Sequence, residues 1–434
     1  MRATLTLILC LLLNIVQGQP SGKQMIYAGS IYDSQIENFL PNRAILILGN
    51  QIASIKPIAE VTAKEKSEYV LIDLSSLTVL PGLIDAHTHM LHTEGVGNGA
   101  NFDIVKEILV ENLAYRAIAA SVKAKAYLQA GITTVQDLGN SGQFGDIALK
   151  SAIENGIVEG PRMSCSGPAL AAFGGQFPGM NMKYQNIVNE EYRIVKGVDD
   201  ATQAVRENVN QGADVIKIYA TNSPNKTALS LHEIKAITTE AHRYGIRVTA
   251  HATDDISVNT AIDGGVDAIE HGYELSDSTL VKMAKAHIIL VPTDGDTETL
   301  SQWAKLAYPE DSLNIPKNVQ SFRRPFVERL KRAKQKGVVI AMGSDDYHDL
   351  KLPGAVPAKR VLLGYSEAGL TLKEVIKTGT VNGAIQLNMP TTIGQLKPGY
   401  LADIIAVSKG IQTDVKALMD VKFVMKDGKT YKRP

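Results

Sequence analysis

Eight continuously apolar runs, each followed by enough chain for a helix, constrain this sequence more than any other feature: LTVLPGLIDAHTH, ITTVQDL, RMSCSG, DVIKIYA, RVTAHA, AIEHG, IILVPT and VVIAMGSD. Apolar residues fill both faces of the runs instead of alternating, as in parallel strands covered on both sides. Strand and helix in strict series predict an α/β chain closed as a (β/α)8 TIM barrel. One connecting helix is clearly punctuated: Ser230 and Glu233 make a capping box ahead of LHEIKAITTEAHRYG, which closes on Gly245. The stretch from Thr297 to Pro325, rich in charge and proline, reads as an inserted loop-and-helix excursion.

The flanks are built differently. AILILGNQIASI is a hairpin turning at Gly49-Asn50, and LADIIAVS with VKFVMKDGKTY repeats that composition at the other end, turning at Asp427-Gly428. Residues 24–79 and 393–434 are therefore expected to build one small β-sandwich domain from both chain ends, around a barrel of residues 80–392. Before them, one Arg and an apolar run from Leu5 to Val16 read as a signal peptide over residues 1–18, the run being short for a bilayer span. Leu9 and Leu11 make Cys10 a poor lipid-attachment site. Cleavage leaves a secreted or periplasmic chain with no membrane span, with Cys165 as its one cysteine and no intrachain disulfide. An N-x-T sequon at Asn225 matters only in a glycosylating host. Lys plus Arg and Asp plus Glu are 45 each, so no basic surplus points to nucleic acid or an anionic membrane surface. Small molecules are the expected partners.

In a parallel barrel the working face lies at the C-terminal ends of the strands. Those ends carry His87 and His89, then Lys217, His251, His271 and Asp345. Each alone has an ordinary structural reading: a hydrogen-bonded histidine, a lysine snorkelling to the rim, an aspartate capping a helix. Together they gather at one mouth. Four neutral imidazoles and a carboxylate suit a divalent ion such as Zn²⁺. Burial pushes Lys217 towards the neutral amine, which can add CO2 and become a carbamate whose two oxygens bridge two ions. Two ions so bridged hold a hydroxide at neutral pH and polarise a carbonyl.

LPGLIDAHTH, the lysine of GADVIKIYA, AHA with IEHG, and AMGSD together resemble the amidohydrolase superfamily. The resemblance covers nearly the whole mature chain, including the GQLKPGYLADIIAV tail, and is nearest to the branch of imidazolonepropionase-like proteins, Xaa-Pro and related dipeptidases and ochratoxin-type amidases. It implies that His87, His89, Lys217 and Asp345 bind one metal and Lys217, His251 and His271 the other. It implies that Asp345 is also catalytic, taking the proton of the attacking hydroxide and passing it to the leaving amine. The expected reaction is cleavage of the C–N bond of a small dipeptide-like or N-acyl amino acid substrate. A mononuclear deaminase or cyclic-amide hydrolase is the alternative chemistry, against which Lys217 argues; a scaffold that has lost catalysis is the alternative outside enzymes.

The chain departs from many relatives at Thr253, where a second histidine often follows AHA, and at Gln176, where a histidine often follows the paired glycines. Tyr219 shares the face of Lys217, and Tyr219, Gln176 and His348 are candidate substrate contacts. His92 reads as a loop residue and not a ligand, and Asp346 should point away from Asp345. His232, His242 and His287 read as surface residues, and Gly95–Gly99 as a flexible loop. Arg193 to Lys196, or Arg323-Arg324, could offer a cation to a substrate carboxylate. A homo-oligomer fits the resemblance, without a number.

Overall fold

A computed structural model of the protein describes residues 22–97, 108–177, 179, 181–352 and 357–434. The expected signal peptide, residues 1–18, and the Asn98 and Gly99 part of the GVGNG loop lie outside the described residues.

Four strands open the described chain: β1 (Lys23–Asp33), β2 (Asn38–Leu48), β3 (Gln51–Pro57) and β4 (Val70–Pro81). The middle carries β5 (Leu83–Thr88), β6 (Glu94–Gly95), β7 (Ile132–Asp137), β8 (Arg162–Cys165), β9 (Ala169–Ala171) and β10 (Tyr192–Ile194). It continues with β11 (Val215–Tyr219), β12 (Arg247–Asp254), β13 (Ala268–Glu274), β14 (Ile289–Val291) and β15 (His348–Asp349). The chain closes with β16 (Ile404–Ser408), β17 (Phe423–Lys426) and β18 (Lys429–Lys432).

Both chain ends contribute to one continuous seven-stranded sheet, in the order β18-β17-β16-β4-β1-β2-β3. They meet where β16 runs antiparallel to β4, with Ile405 opposite Leu80. Asp427 and Gly428 between β17 and β18 have φ of 50° and 72°, which is what a tight two-residue hairpin asks of its central pair. The sheet folds back on itself: Ile52 N donates to Tyr400 O (2.9 Å) and Gly399 N to Ile52 O (2.8 Å). Ile26, Ile45 and Ile52 from one half then enclose a single apolar core with Ile404, Phe423 and Met425 from the other.

In the middle, β5, β7 and β8 pair in parallel, as do β11, β12, β13 and β14. Asp214 N donates to Cys165 O (2.8 Å), linking the end of β8 to the start of β11. Leu290 of β14 pairs in parallel with Ile340, and Ala86 N of β5 donates to Met342 O (2.8 Å). The links thus lead from β5 through segment 338–342 back to β5.

Two sequence expectations need correction. LTVLPGLIDAHTH is not one strand but the end of β4 and all of β5, broken at Pro81-Gly82. There the chain leaves one sheet for the other: Gly82 N donates to Asp403 O (2.9 Å) and Leu83 N to Gly131 O (3.0 Å). A Cβ at Gly82 would stand 2.1 Å from Thr133 Oγ1, so only glycine passes here. VVIAMGSD forms an isolated bridge at Ile340 and no strand, because Met342 N turns to Thr378 O (3.0 Å) and leaves the ladder. The excursion after Thr297 is two helices, Thr297–Ala307 and Ile315–Gln335, the second running through Pro325. The capping box at Ser230 and Glu233 opens the helix Leu231–Arg243 as its sequence requires. Among the described residues no helix is long and apolar enough to cross a membrane.

Candidate metal centre

His87 sits near the end of β5 and His89 just beyond it. Their partners settle their tautomers. His87 Nδ1 lies 2.6 Å from Glu270 Oε2, and His89 Nδ1 lies 2.9 Å from Gly139 O. A carboxylate and a carbonyl can only accept, so each Nδ1 carries the proton and each Nε2 keeps a free lone pair. Those two Nε2 atoms are 3.3 Å apart, and Asp345 Oδ1 stands 3.4 Å from the first and 3.1 Å from the second. Three acceptor atoms crowded together repel unless a cation joins them. Tetrahedral bonds of about 2.0–2.1 Å place neighbouring donors about 3.3 Å apart, so the spacing fits one divalent ion.

The backbone puts Asp345 there. Asp345 N donates to His87 O (2.9 Å), while Asp85 Oδ1 accepts from Ser344 N (2.9 Å) and His87 N (3.2 Å). Asp345 has φ of 52°, a left-handed conformation that non-glycine residues hold only when their surroundings impose it. His271 does the same with φ of 71°. That breaks the alternation of β13, so the consecutive residues Glu270 and His271 both reach His87: Glu270 by its hydrogen bond, His271 with ring centroids 5.1 Å apart.

His271 and His251 lie beside this cluster with centroids 4.5 Å apart. His271 Nδ1 is held by Thr293 Oγ1 (2.9 Å) and Tyr273 Oη (3.1 Å), which leaves Nε2 for a cation. His251 Nε2 meets Gln176 Nε2 at 3.0 Å, which leaves Nδ1. If His251 held an ion through Nδ1, its Nε2 would carry the proton and the Gln176 amide would present its carbonyl to it. Lys217 is buried in β11, with Nζ 5.6 Å from the Tyr219 ring centroid. Burial drives its ammonium downward in pKa, against the pull of Glu270 and Asp345. His87 and His251 are pushed down by burial and then by Lys217, and His271 by burial and then by His251. Burial alone would raise the Asp345 carboxyl, but His87 and His89 outweigh it and hold it well below the usual range. The shifts at His87, His251 and His271 favour the neutral imidazole and that at Asp345 the carboxylate, the forms that bind metal.

Of the candidate substrate contacts, His348 lines a cavity with Asp345 and packs against the Tyr347 ring at a tilt, with centroids 4.2 Å apart. Gln176 is committed to His251, and Tyr219 is buried between Tyr192 and His251 with centroids at 5.3 and 4.8 Å. Thr253 N donates to Thr221 Oγ1 (3.2 Å). His92 Nε2 stands 3.1 Å from Glu94 Oε1. Asp346 turns to the Tyr127 hydroxyl (3.1 Å). His232, His242 and His287 are exposed. Gly95 pairs with Asp349 in the short β6–β15 ladder. In the two regions that could offer a cation, Arg193 is held by Asp200 and Glu207, and Arg323 by Thr297 and Glu367. Sequence reasoning missed Glu270, Asp85 and Gly139, which hold the histidines and the Asp345 segment in place. Glu270 beside His271 in IEHG was the only visible trace.

Residues 78–431 match the Amidohydrolase family. The chain is 27% identical to ochratoxinase of Aspergillus niger over 451 aligned positions, covering 94% of this chain and 87% of that one. It is 24% identical to imidazolonepropionase of Fusobacterium nucleatum, covering 77% of each. Its structure resembles that of a Xaa-Pro dipeptidase with methionine bound in its active site, at a TM-score of 0.79 and 27% identity over 95% of this chain and 100% of that one. The chain belongs to the amidohydrolase family. It is a hydrolase acting on carbon–nitrogen bonds, amides among them.

Proposed function

We infer that this is an exported binuclear metallohydrolase, a (β/α)8 barrel cleaving the amide bond of a small dipeptide-like or N-acyl amino acid substrate. The observation that carries the reading is the convergence of His87 Nε2, His89 Nε2 and Asp345 Oδ1 within 3.1–3.4 Å, with both Nδ1 protons committed elsewhere. These three would hold one divalent ion, zinc by the chemistry of the donors, and His251 and His271 a second. Lys217 would join the two as a carbamate: its neutral Nζ attacks CO2, forms the N–C bond and releases a proton. Bound ions there would acidify a water and polarise the scissile carbonyl. Asp345 then receives the proton of the attacking water and delivers it to the leaving nitrogen. Its Oδ1 faces the Nε2 atoms of His87 and His89, while its Oδ2 lies 4.0 Å from His271 Nδ1. The Xaa-Pro dipeptidase among the structural relatives supports the dipeptide-like class. Export rests on the reading of residues 1–18.

The test is metal content per chain, with the mass of the peptide containing Lys217 measured under non-acidic conditions. About two ions and one added CO2 are expected. One ion on an unmodified lysine would overturn the binuclear reading and direct screening to deaminase and cyclic-amide substrates. No metal after reconstitution would overturn the hydrolytic site itself.

A further inference from the structure

A cavity of about 480 Å³ opens from Asp345. Helix Thr297–Ala307 contributes Leu300 and Trp303 to its wall, and helix Ile315–Gln335 contributes Phe322 and Phe326. An aromatic series joins this wall to the donor cluster. Ring centroids are 5.3 Å apart from His271 to Tyr273, 5.2 Å from Tyr273 to Phe326 and 5.0 Å from Phe326 to Phe322. Phe322 is 58% exposed, which puts the far end of the series at the rim.

Among the described lining residues, Arg323, Asp294 and Asp346 each have a polar partner. Arg323 is the one Lys or Arg among its described lining residues, and Thr297 and Glu367 hold its guanidinium. Asp294 is paired with the buried Arg329 (2.7 Å) and Asp346 with the Tyr127 hydroxyl, while Asp345 belongs to the donor cluster with His87 and His89. A charged substrate group entering here would lose its hydration without gaining an unengaged counter-charge from the described lining residues, whereas an apolar ring gains by leaving water.

We propose that this cavity is the specificity pocket for a bulky uncharged side group of the substrate, aromatic or branched aliphatic, and that the helices of residues 297–335 are its specificity element. The proposal rests on the amide-hydrolase reading above, and names the substrate class for it. A hydrocarbon side group of the scissile amide packs against Trp303 and Phe326 while the amide itself lies at Asp345.

The experiment uses the metal-loaded enzyme with N-acetyl amino acids that differ only in side chain: Phe, Leu, Ala, Glu and Lys. Phenylacetyl-glycine and succinyl-glycine place the same contrast on the acyl side. The expected result is a kcat/KM about 10- to 100-fold higher for the aromatic or Leu compound than for the Ala or charged ones, on one side of the amide. Trp303→Ala should collapse that preference and Trp303→Phe should restore most of it. Equal rates across both series, a preference for a charged group, or a preference that survives Trp303→Ala combined with Phe326→Ala overturns the proposal. Trp303 is the only tryptophan of the chain, so its fluorescence reads the pocket without catalysis. If none of these amides is turned over, the N-acyl amino acid reading fails and the pocket is still judged. A saturable response to phenylacetamide but not to acetamide supports it, and a flat titration overturns it.

Discussion

Substituting Glu270 tests whether the metal centre depends on the partner that orients His87. Glu270 is fully buried, its Oε2 2.6 Å from His87 Nδ1 and its Oε1 accepting the Thr249 hydroxyl. In Glu270→Gln the amide oxygen can still accept from Nδ1, and the amide nitrogen can donate to Thr249 Oγ1, so shape and tautomer survive while the charge is lost. A hydrogen bond to a charged group contributes about 1.5–3 kcal/mol and a neutral one about 0.5–1.5 kcal/mol, a difference near 1.4 kcal/mol or tenfold. In Glu270→Ala both bonds vanish and a buried N–H is left without a partner, so about 100-fold is expected, the upper range for groups supporting a metal ligand. The assay is zinc affinity by competition with a chromophoric chelator, beside thermal melts of the metal-free proteins. Affinities of both variants within threefold of the parent would refute the reasoning. So would a loss that merely follows unfolding of the metal-free protein.

Burial, with the Asp137 carboxylate nearby, pushes the Asp146 carboxyl up to about 8. The folded chain thus keeps this proton between roughly pH 4 and 8 while the unfolded chain releases it, so this group makes stability fall with rising pH in that window, by up to about 1.4 kcal/mol per unit. Asp146→Asn should flatten that slope in urea titrations across the window, and an unchanged slope would contradict the assignment. Arg162 joins β8 to the terminal sheet through Asp403 and Asp427. Arg162→Ala should lower unfolding stability by about 3 kcal/mol, since Asp403 is left buried and unpaired, and a loss under 1 kcal/mol in a denaturant titration would show that the bridge contributes little. A Cβ at Gly343 would stand 2.2 Å from Val291 Cγ1 and 2.8 Å from His87 Cβ. Gly343→Ala should therefore displace His87 and weaken zinc binding at least tenfold with little change in far-ultraviolet circular dichroism, and parent-like affinity would mean that the segment yields freely.

The parts of this molecule that follow a period could be read from the chain. Parallel βα units repeat, their working ends fall on one side, and so His87, His89, Lys217, His251, His271 and Asp345 could be picked out as strand-end polar residues. Where the period breaks, the sequence no longer signals which way a side chain faces. Glu270 next to His271 should face the other way on a regular strand, and it reaches His87 only because His271 is left-handed. A single sequence signals such a φ reliably at glycine alone, and Gly272, with φ of 55°, stands one residue too late to show it. The split of LTVLPGLIDAHTH was hidden likewise, although Pro81-Gly82 carried the signal. For the helices after Thr297, charge hid the useful pattern: Phe322 and Phe326 are four apart on one helical face, directed at the cavity, while Arg324, Lys331 and Lys334 stay on exposed positions.

The irregular backbone also bears on how the centre comes to exist. Left-handed residues at His271 and Asp345 cost on the order of 1–3 kcal/mol each and persist only where the surroundings over-determine them. Here that role falls to protein groups: His87 O receives Asp345 N, Asp85 receives Ser344 N and His87 N, and Glu270 and Gly139 receive the imidazole protons. None of these bonds involves the lone pairs that face the cluster. The donors are therefore placed by folding and not by the ion, so binding energy goes into affinity instead of ordering the site. On the reading proposed above, the ligands come from residues at the strand ends, and the substrate side group is selected by helices that supply none of them.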